Sequence, residues 1–130
     1  MIIETGERPT QRVRRQDEAR LQAQCYAWAW NNCPETQKLL FHVENERSDG
    51  NMIDGARRKS MGLVPGVSDL ILLLPRGRYH GLMIEMKTPI GQQSAAQKEW
   101  QKLVEAQGYL YVVCRSLEQF QITINNYLDL

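Results

Sequence analysis

The stretch Ser68–Leu74, SDLILLL, constrains the fold more than any other part of the chain. It is apolar on both faces except for one acid, Asp69, which is how a strand buried inside a sheet reads. Pro75, Arg76 and Gly77 then turn the chain, and Gly81–Lys87 (GLMIEMK) reads as the next strand. The two predict a hairpin. An acid inside such a pair needs a reason, because burying a carboxylate costs several kcal/mol unless it is paired or binds a metal.

The rest of the chain supplies elements to cover that sheet. A first helix is expected from near Asp17 to about Asn32. Asp17 is a good N-cap residue, and Glu18 falls in the first turn, where the helix dipole favours a carboxylate. Leu21, Cys25, Trp28 and Ala29 follow at helical spacing, and Pro34 ends the run. Residues 1–15 read as a basic N-terminal arm, with Arg8, Arg12, Arg14 and Arg15 against Glu4 and Glu7. Such an arm is either a phosphate-binding segment or a solvated terminus. Leu39–Glu44 reads as a short strand, with Leu40, His42 and Glu44 on one face.

A long polar connection follows over residues 45–65, with room for a short helix around Ile53–Met61. Ser94, Ala95, Ala96 and Gln97 form a capping box opening a helix whose stripe is Gln97, Trp100, Leu103, Val104 and Gln107. Gly108 fits its stop. Tyr109–Cys114 reads as a strand. Ser116 to Gln119 repeats the capping pattern before a last helix carrying Leu117, Phe120, Ile124 and Leu128. The order α-β-β-β-α-β-α predicts an α/β fold, a mixed sheet flanked by helices, in a single domain over residues 16–130.

Composition narrows the class. The 130 residues carry 16 Lys and Arg against 15 Asp and Glu, a net charge of +1, so overall charge does not announce a nucleic-acid partner. No stretch approaches the roughly 18 apolar residues of a membrane span, and the N-terminus does not read as a signal peptide. The 3 cysteines, Cys25, Cys33 and Cys114, fit neither a disulfide framework nor a zinc site. Reduced thiols in a cytoplasmic protein are the expectation.

The chemistry concentrates in the hairpin. Glu85 and Lys87 stand two apart and share a strand face. Pairing the strands sets Asp69 beside Glu85 on that face. Two adjacent carboxylates repel, and a hard divalent cation relieves the repulsion. Asp, Glu and Lys converging on Mg²⁺ make a site for metal-assisted hydrolysis. On its own the Glu-x-Lys triplet also suits a solvated strand end. The Pro65-Gly66 turn just before Ser68 and Asp69 makes the combination far more specific.

Met61–Tyr109 resembles the VRR-NUC domain, a branch of the PD-(D/E)XK nuclease superfamily. The matching residues are Gly62-Leu63-Val64-Pro65-Gly66-Val67-Ser68-Asp69-Leu70, Ile84-Glu85-Met86-Lys87, Ser94 with Gln97, then Trp100, Leu103 and Gly108-Tyr109. Glu18 and Gln22 of the first helix extend the similarity. Ser68 departs from the family's usual proline before the acid. The resemblance implies a PD-(D/E)XK nuclease-like sheet and an Mg²⁺- or Mn²⁺-dependent endonuclease. Asp69 and Glu85 would be direct metal ligands, with the backbone carbonyl of Met86 as a third. Lys87 would orient or deprotonate the attacking water and screen transition-state charge. Glu18 would complete the acidic cluster, directly or through a metal-bound water, or is simply an N-terminal helix acid. Gln97 serves as a cap, and as an accessory residue if it also faces the site. Arg57, Arg58 and Lys59 form either a DNA-binding cluster or a solvated face. Glu44 and His42 read more simply as surface residues than as ligands.

The resemblance is to stand-alone phage and bacterial members that resolve branched DNA. It implies hydrolysis at Holliday (four-way) junctions, in DNA repair or recombination, by a homodimer whose symmetry matches the junction. Tyr26, Trp28 and Trp30 are the expected interface. The alternatives are a flap- or duplex-nicking or restriction-type nuclease, and an accessory module that binds branched DNA without cutting. RNA is not excluded by residue types.

Overall fold

The computed structural model describes residues 10–44 and 52–130. Helix α1 spans Gln11–Asn32 and leads through a 3-10 turn at Pro34–Thr36 into strand β1, Leu40–His42. Helix α2, Met52–Ser60, precedes β2, Leu70–Leu72, and β3, Leu82–Met86. Helix α3, Ala95–Ala106, β4, Leu110–Cys114, and α4, Leu117–Leu128, complete the fold. The 4-stranded sheet has the order β1-β2-β3-β4. The first two pairings are antiparallel, and β3 pairs with β4 in parallel after the α3 crossover. This is the expected α/β architecture.

Alternation along the strands sorts the two faces. Leu70, Leu72, Leu82, Ile84 and Met86 pack with Cys25 and Ala29 of α1 and with Phe120, Ile124 and Tyr127 of α4. Met83 and Tyr111 face the other way, against Val104 and Trp100 of α3. Each buried Leu, Ile or Phe side chain is worth about 1.5–3 kcal/mol. A one-residue slip of β3 would push Glu85 into the Leu70–Ile84 face, so the register is strongly held.

The start of the chain differs from expectation. Helix α1 begins at Gln11, with Thr10 as N-cap: its side chain accepts from the Val13 N–H at 3.3 Å. Asp17 is an exposed residue inside the helix, and Glu18 is not in its first turn. The last part of the expected arm, including Arg12, Arg14 and Arg15, is therefore helical; Arg8, Glu4 and Glu7 lie outside the described residues. Thr10 and Asp17 are both capping types, and the weakly patterned polar stretch between them does not choose. Trp28 belongs to the core rather than to an interface, its ring edge-on to Phe120 at 6.2 Å. Leu103, assigned to the buried stripe of α3, is 57% exposed. The second capping box is half formed: Ser116 accepts from the Gln119 N–H, while the Gln119 side chain accepts from Arg115 N instead.

The Pro-Gly turn is a packing element. Gly66 has φ +82, and a Cβ placed there would lie 2.4 Å from the backbone carbon of Ala96. Only glycine combines that dihedral with so close an approach. The turn is thereby docked on the first turn of α3, and the Ser68 hydroxyl accepts from the Trp100 indole N–H at 2.9 Å. Ser68, the departure from the family pattern, ties Asp69's segment to α3. Gly66→Ala is expected to destabilise the fold by about 1–3 kcal/mol through dihedral strain alone, with more from the clash. Urea unfolding beside the parent protein checks this; an unchanged midpoint would refute the docking role.

Candidate active site

The site forms where the chain enters β2 and leaves β3. The pairing of Leu70 with Ile84 sets Asp69 opposite Glu85 at the next position outward. Asp69 is fixed from two sides. Its Oδ2 accepts from the Met86 N–H at 2.8 Å. Its backbone carbonyl accepts from Val43 N at 3.0 Å and from the His42 ring Nδ1 at 2.8 Å. A carbonyl can only accept, so His42 carries its proton on Nδ1 and braces Asp69 from β1. The reading of His42 as a surface residue missed this.

Glu85 is 1% exposed. Its Oε1 accepts from the Gln97 side-chain amide at 2.8 Å and lies 4.0 Å from the Lys87 Nζ. Its Oε2 is buried with no donor to satisfy it, and the carboxyl lies against that of Asp69, close enough for the two to share a proton when Glu85 is protonated. Gln97 faces two ways. Its Oε1 accepts from Ser94 N at 2.8 Å, completing the capping box, while its Nε2 holds Glu85. A residue that caps α3 therefore also orients the buried acid.

Glu18 arrives from the opposite face of the sheet, along α1, past the end of β3. It is close to Lys87 and Asp69, and it accepts a hydrogen bond from the Thr88 backbone. Burial nevertheless dominates and raises its pKa, with Asp69 adding to the rise and Lys87 opposing it. Burial likewise pushes the Glu85 carboxyl up, reinforced by Asp69 and Glu18 and opposed by Lys87. Lys87 and, toward Glu18, Arg14 oppose the shift, but burial outweighs them and the acids stay incompletely balanced.

A divalent cation fits that imbalance. Among the described residues no cluster of three His, Cys, Asp or Glu side chains is tight enough to hold a metal by side chains alone. Asp69 and Glu85, with the Met86 carbonyl, are the groups available to one, and Glu18 is placed for a contact through water. Few protein ligands with several retained waters is the habit of Mg²⁺. The unpartnered Glu85 Oε2 is the atom such an ion would satisfy.

The site opens into two clefts that share Arg15 and Glu18. One, about 510 Å³, runs between α1 and β1 and includes Gln22, Tyr26, His42 and Asp69. The other, about 340 Å³, holds Arg14, Lys87, Gln92, Ser94 and Gln97. Arg57, Arg58 and Lys59 close α2 and line neither cleft. Glu44 follows β1, exposed, and also lines neither. One supporting residue had no signal in the sequence. Arg115, after β4, donates to the carbonyls of Thr88 at 2.8 Å and Gly91 at 2.6 Å. It clamps the loop that faces Glu18, where a Cβ on Gly91 would stand 3.5 Å from the Glu18 carboxylate.

The family model for the VRR-NUC domain matches residues 5–118. The chain belongs to the VRR-NUC family. A solved structure of a "VRR_NUC domain protein" is similar in fold, with TM-score 0.75 and 27% sequence identity over 86% of this chain and 88% of that one. Among curated proteins no sequence matches it. Membership in the VRR-NUC family implies nuclease activity. No helix among the described residues is long and apolar enough to cross a membrane.

The raised Glu85 pKa has a stability consequence in the absence of metal. The folded protein holds the proton more tightly than the unfolded chain, whose carboxyl has its ordinary value of 4.5. The resulting stabilisation is full below that value and is lost as pH rises through the folded pKa. Glu85→Gln cannot lose it. In EDTA, the melting temperature of the variant minus that of the parent should therefore increase from about pH 5 to about pH 8. A flat difference would show that Glu85 is not a buried, uncompensated acid.

Proposed function

We propose that this VRR-NUC chain is an Mg²⁺- or Mn²⁺-dependent endodeoxyribonuclease that cuts branched DNA, in the first instance four-way junctions. The observation that carries the reading is the buried Glu85 carboxylate, with one oxygen on Gln97 and the other unpartnered, facing Asp69 and flanked by Lys87. A sheet that needed only stability would carry an apolar side chain there. A bound divalent cation supplies Lewis-acid polarisation of the phosphoryl oxygen and an acidified water.

The protein's own groups do the rest. Asp69, pinned by the Met86 N–H, and Glu85, pinned by Gln97, present fixed oxygens to the ion. Their positions cost nothing to reorganise during reaction, which is the source of electrostatic catalysis. Lys87 lies beside Glu85, where its ammonium donates to the attacking water and then balances charge that develops on the phosphate. Glu18 would add a further acceptor beside the ion from the α1 side. The Tyr26 and Trp30 rings lie 6.4 Å apart on the exposed side of α1. This apolar pair supports a homodimer, and twofold symmetry suits a junction with two equivalent scissile strands. The described cysteines are free and buried, which fits a reducing cytoplasm of a bacterial or phage-infected cell.

The test is cleavage of end-labelled four-way junction, flap and linear duplex in Mg²⁺, Mn²⁺ or EDTA. Asp69→Ala and Lys87→Ala should each lower the rate by at least about a hundred-fold while the variants stay folded. Full activity of Lys87→Ala would overturn the assigned mechanism. Cutting confined to flap or duplex would move the substrate and keep the chemistry. Binding without cutting in either metal would make the domain an accessory module. Sedimentation should give a dimer at micromolar concentration, and Trp30→Glu a monomer; a monomeric parent protein would remove the symmetric-cutter model.

A further inference from the structure

The arginines that line the clefts beside Asp69 and Lys87 are those of α1, not those of α2. Arg14 and Arg15 sit on α1 one helical turn ahead of Glu18, on the side that faces the site. Arg14 enters the polar cleft beside Lys87, Gln92, Ser94 and Gln97. Its Nε is buried without a hydrogen-bond partner, and its charge acts on Glu18, which lines the same cleft. A guanidinium with that donor unmet and Glu18 as its neighbour can still take an anion that enters the cleft beside Lys87. Arg15 lines both clefts and so borders the passage between them at Glu18. The two clefts are openings beside Asp69 and Lys87 that the next phosphate of a strand lying over the acids can enter. The Arg14 cleft is the one whose walls are polar and cationic.

We infer that Arg14, bordered by Arg15, is a clamp for the backbone phosphodiester adjacent to the scissile one. The ligand is a single phosphate of the cut strand, held by a planar guanidinium that matches two phosphate oxygens. The clamp rests on the nuclease reading above, which supplies the strand. It fixes the strand's register over the metal-binding acids, whereas Arg57, Arg58 and Lys59 on α2 are placed for general attraction. A basic segment that read as either a phosphate binder or a solvated end is, over Arg14 and Arg15, a built part of the site.

The experiment is a chemical double-mutant cycle. Junction DNA carries one neutral methylphosphonate, moved along the cut strand, and is bound to the parent protein and to Arg14→Ala in Ca²⁺, then cleaved in Mg²⁺. On unmodified DNA, Arg14→Ala should weaken binding by about ten-fold, as loss of one charge-assisted contact does, and lower the salt slope by about one. At one position next to the cut, the methylphosphonate should weaken the parent protein equally and Arg14→Ala no further. Arg14→Lys should recover part of the affinity but less of the cleavage rate, because the charge returns without the fork. Arg57, Arg58 and Lys59 changed together to Ala should weaken binding alike at every position. An Arg14→Ala penalty that persists at every methylphosphonate position, or is absent on unmodified DNA, overturns the clamp. Parent protein that binds but cuts in no metal overturns the nuclease reading, while the affinity cycle still decides the clamp.

Discussion

Burying the Glu85 carboxylate in the middle of a sheet is the constraint around which the rest is arranged. Charge in that position costs several kcal/mol unless something compensates it. The fold supplies partial compensation from each side: Gln97 from α3, Lys87 from the same strand face, and the Met86 N–H turned to the neighbouring Asp69. It stops short of full compensation, since Glu85 Oε2 has no partner. A protein that stops there keeps an electrostatic debt for a ligand to settle. The pKa shifts of Glu18 and Glu85 express the same imbalance, because burial is the first cause in both.

Rigid connections hold this arrangement. The Gly66 turn rests on the Ala96 backbone, Ser68 is tied to Trp100, and Gln97 both caps α3 and grips Glu85. The helix and the acid therefore cannot move independently. On the far side, Arg115 clamps the Thr88–Gly91 loop against which Glu18 lies. A constellation of charged groups held in one geometry needs such support, since loosely held groups lose their mutual placement.

Much of this was legible because it is local. Strand alternation exposes the Glu85 and Lys87 pair on one face, a hairpin with short turn residues brings Asp69 to it, and Ser94 with Gln97 announces the start of α3. Errors fell where local signals compete or stop. Thr10 and Asp17 are both capping residues in a polar helix start, so local chemistry does not pick the earlier cap, and Glu18 reads equally as a first-turn acid and as a member of the acidic cluster. Leu103 is three residues from Trp100, but it stands a quarter-turn and more round the helix from Val104, so the face that packs on the sheet leaves it exposed. The second capping box failed by one residue, because Arg115 N competes for the Gln119 side chain.

The sequence by itself determined the α/β order, the acid–acid–lysine set, the Pro-Gly turn and the family resemblance, since each is written in residues close along the chain. Tertiary structure decided what reaches the site from afar. Glu18, Arg14 and Arg15 come from α1 on the opposite face, His42 from the edge strand, and Arg115 from beyond β4. Their roles depend on how helices pack across the ends of the strands. No spacing along the chain encodes that distance. Trp28 and Trp30 divide between the two: helical spacing already sets Trp28 on the stripe of Cys25 and Ala29, and the packing of α4 supplies Phe120 as its partner while Trp30 stays exposed.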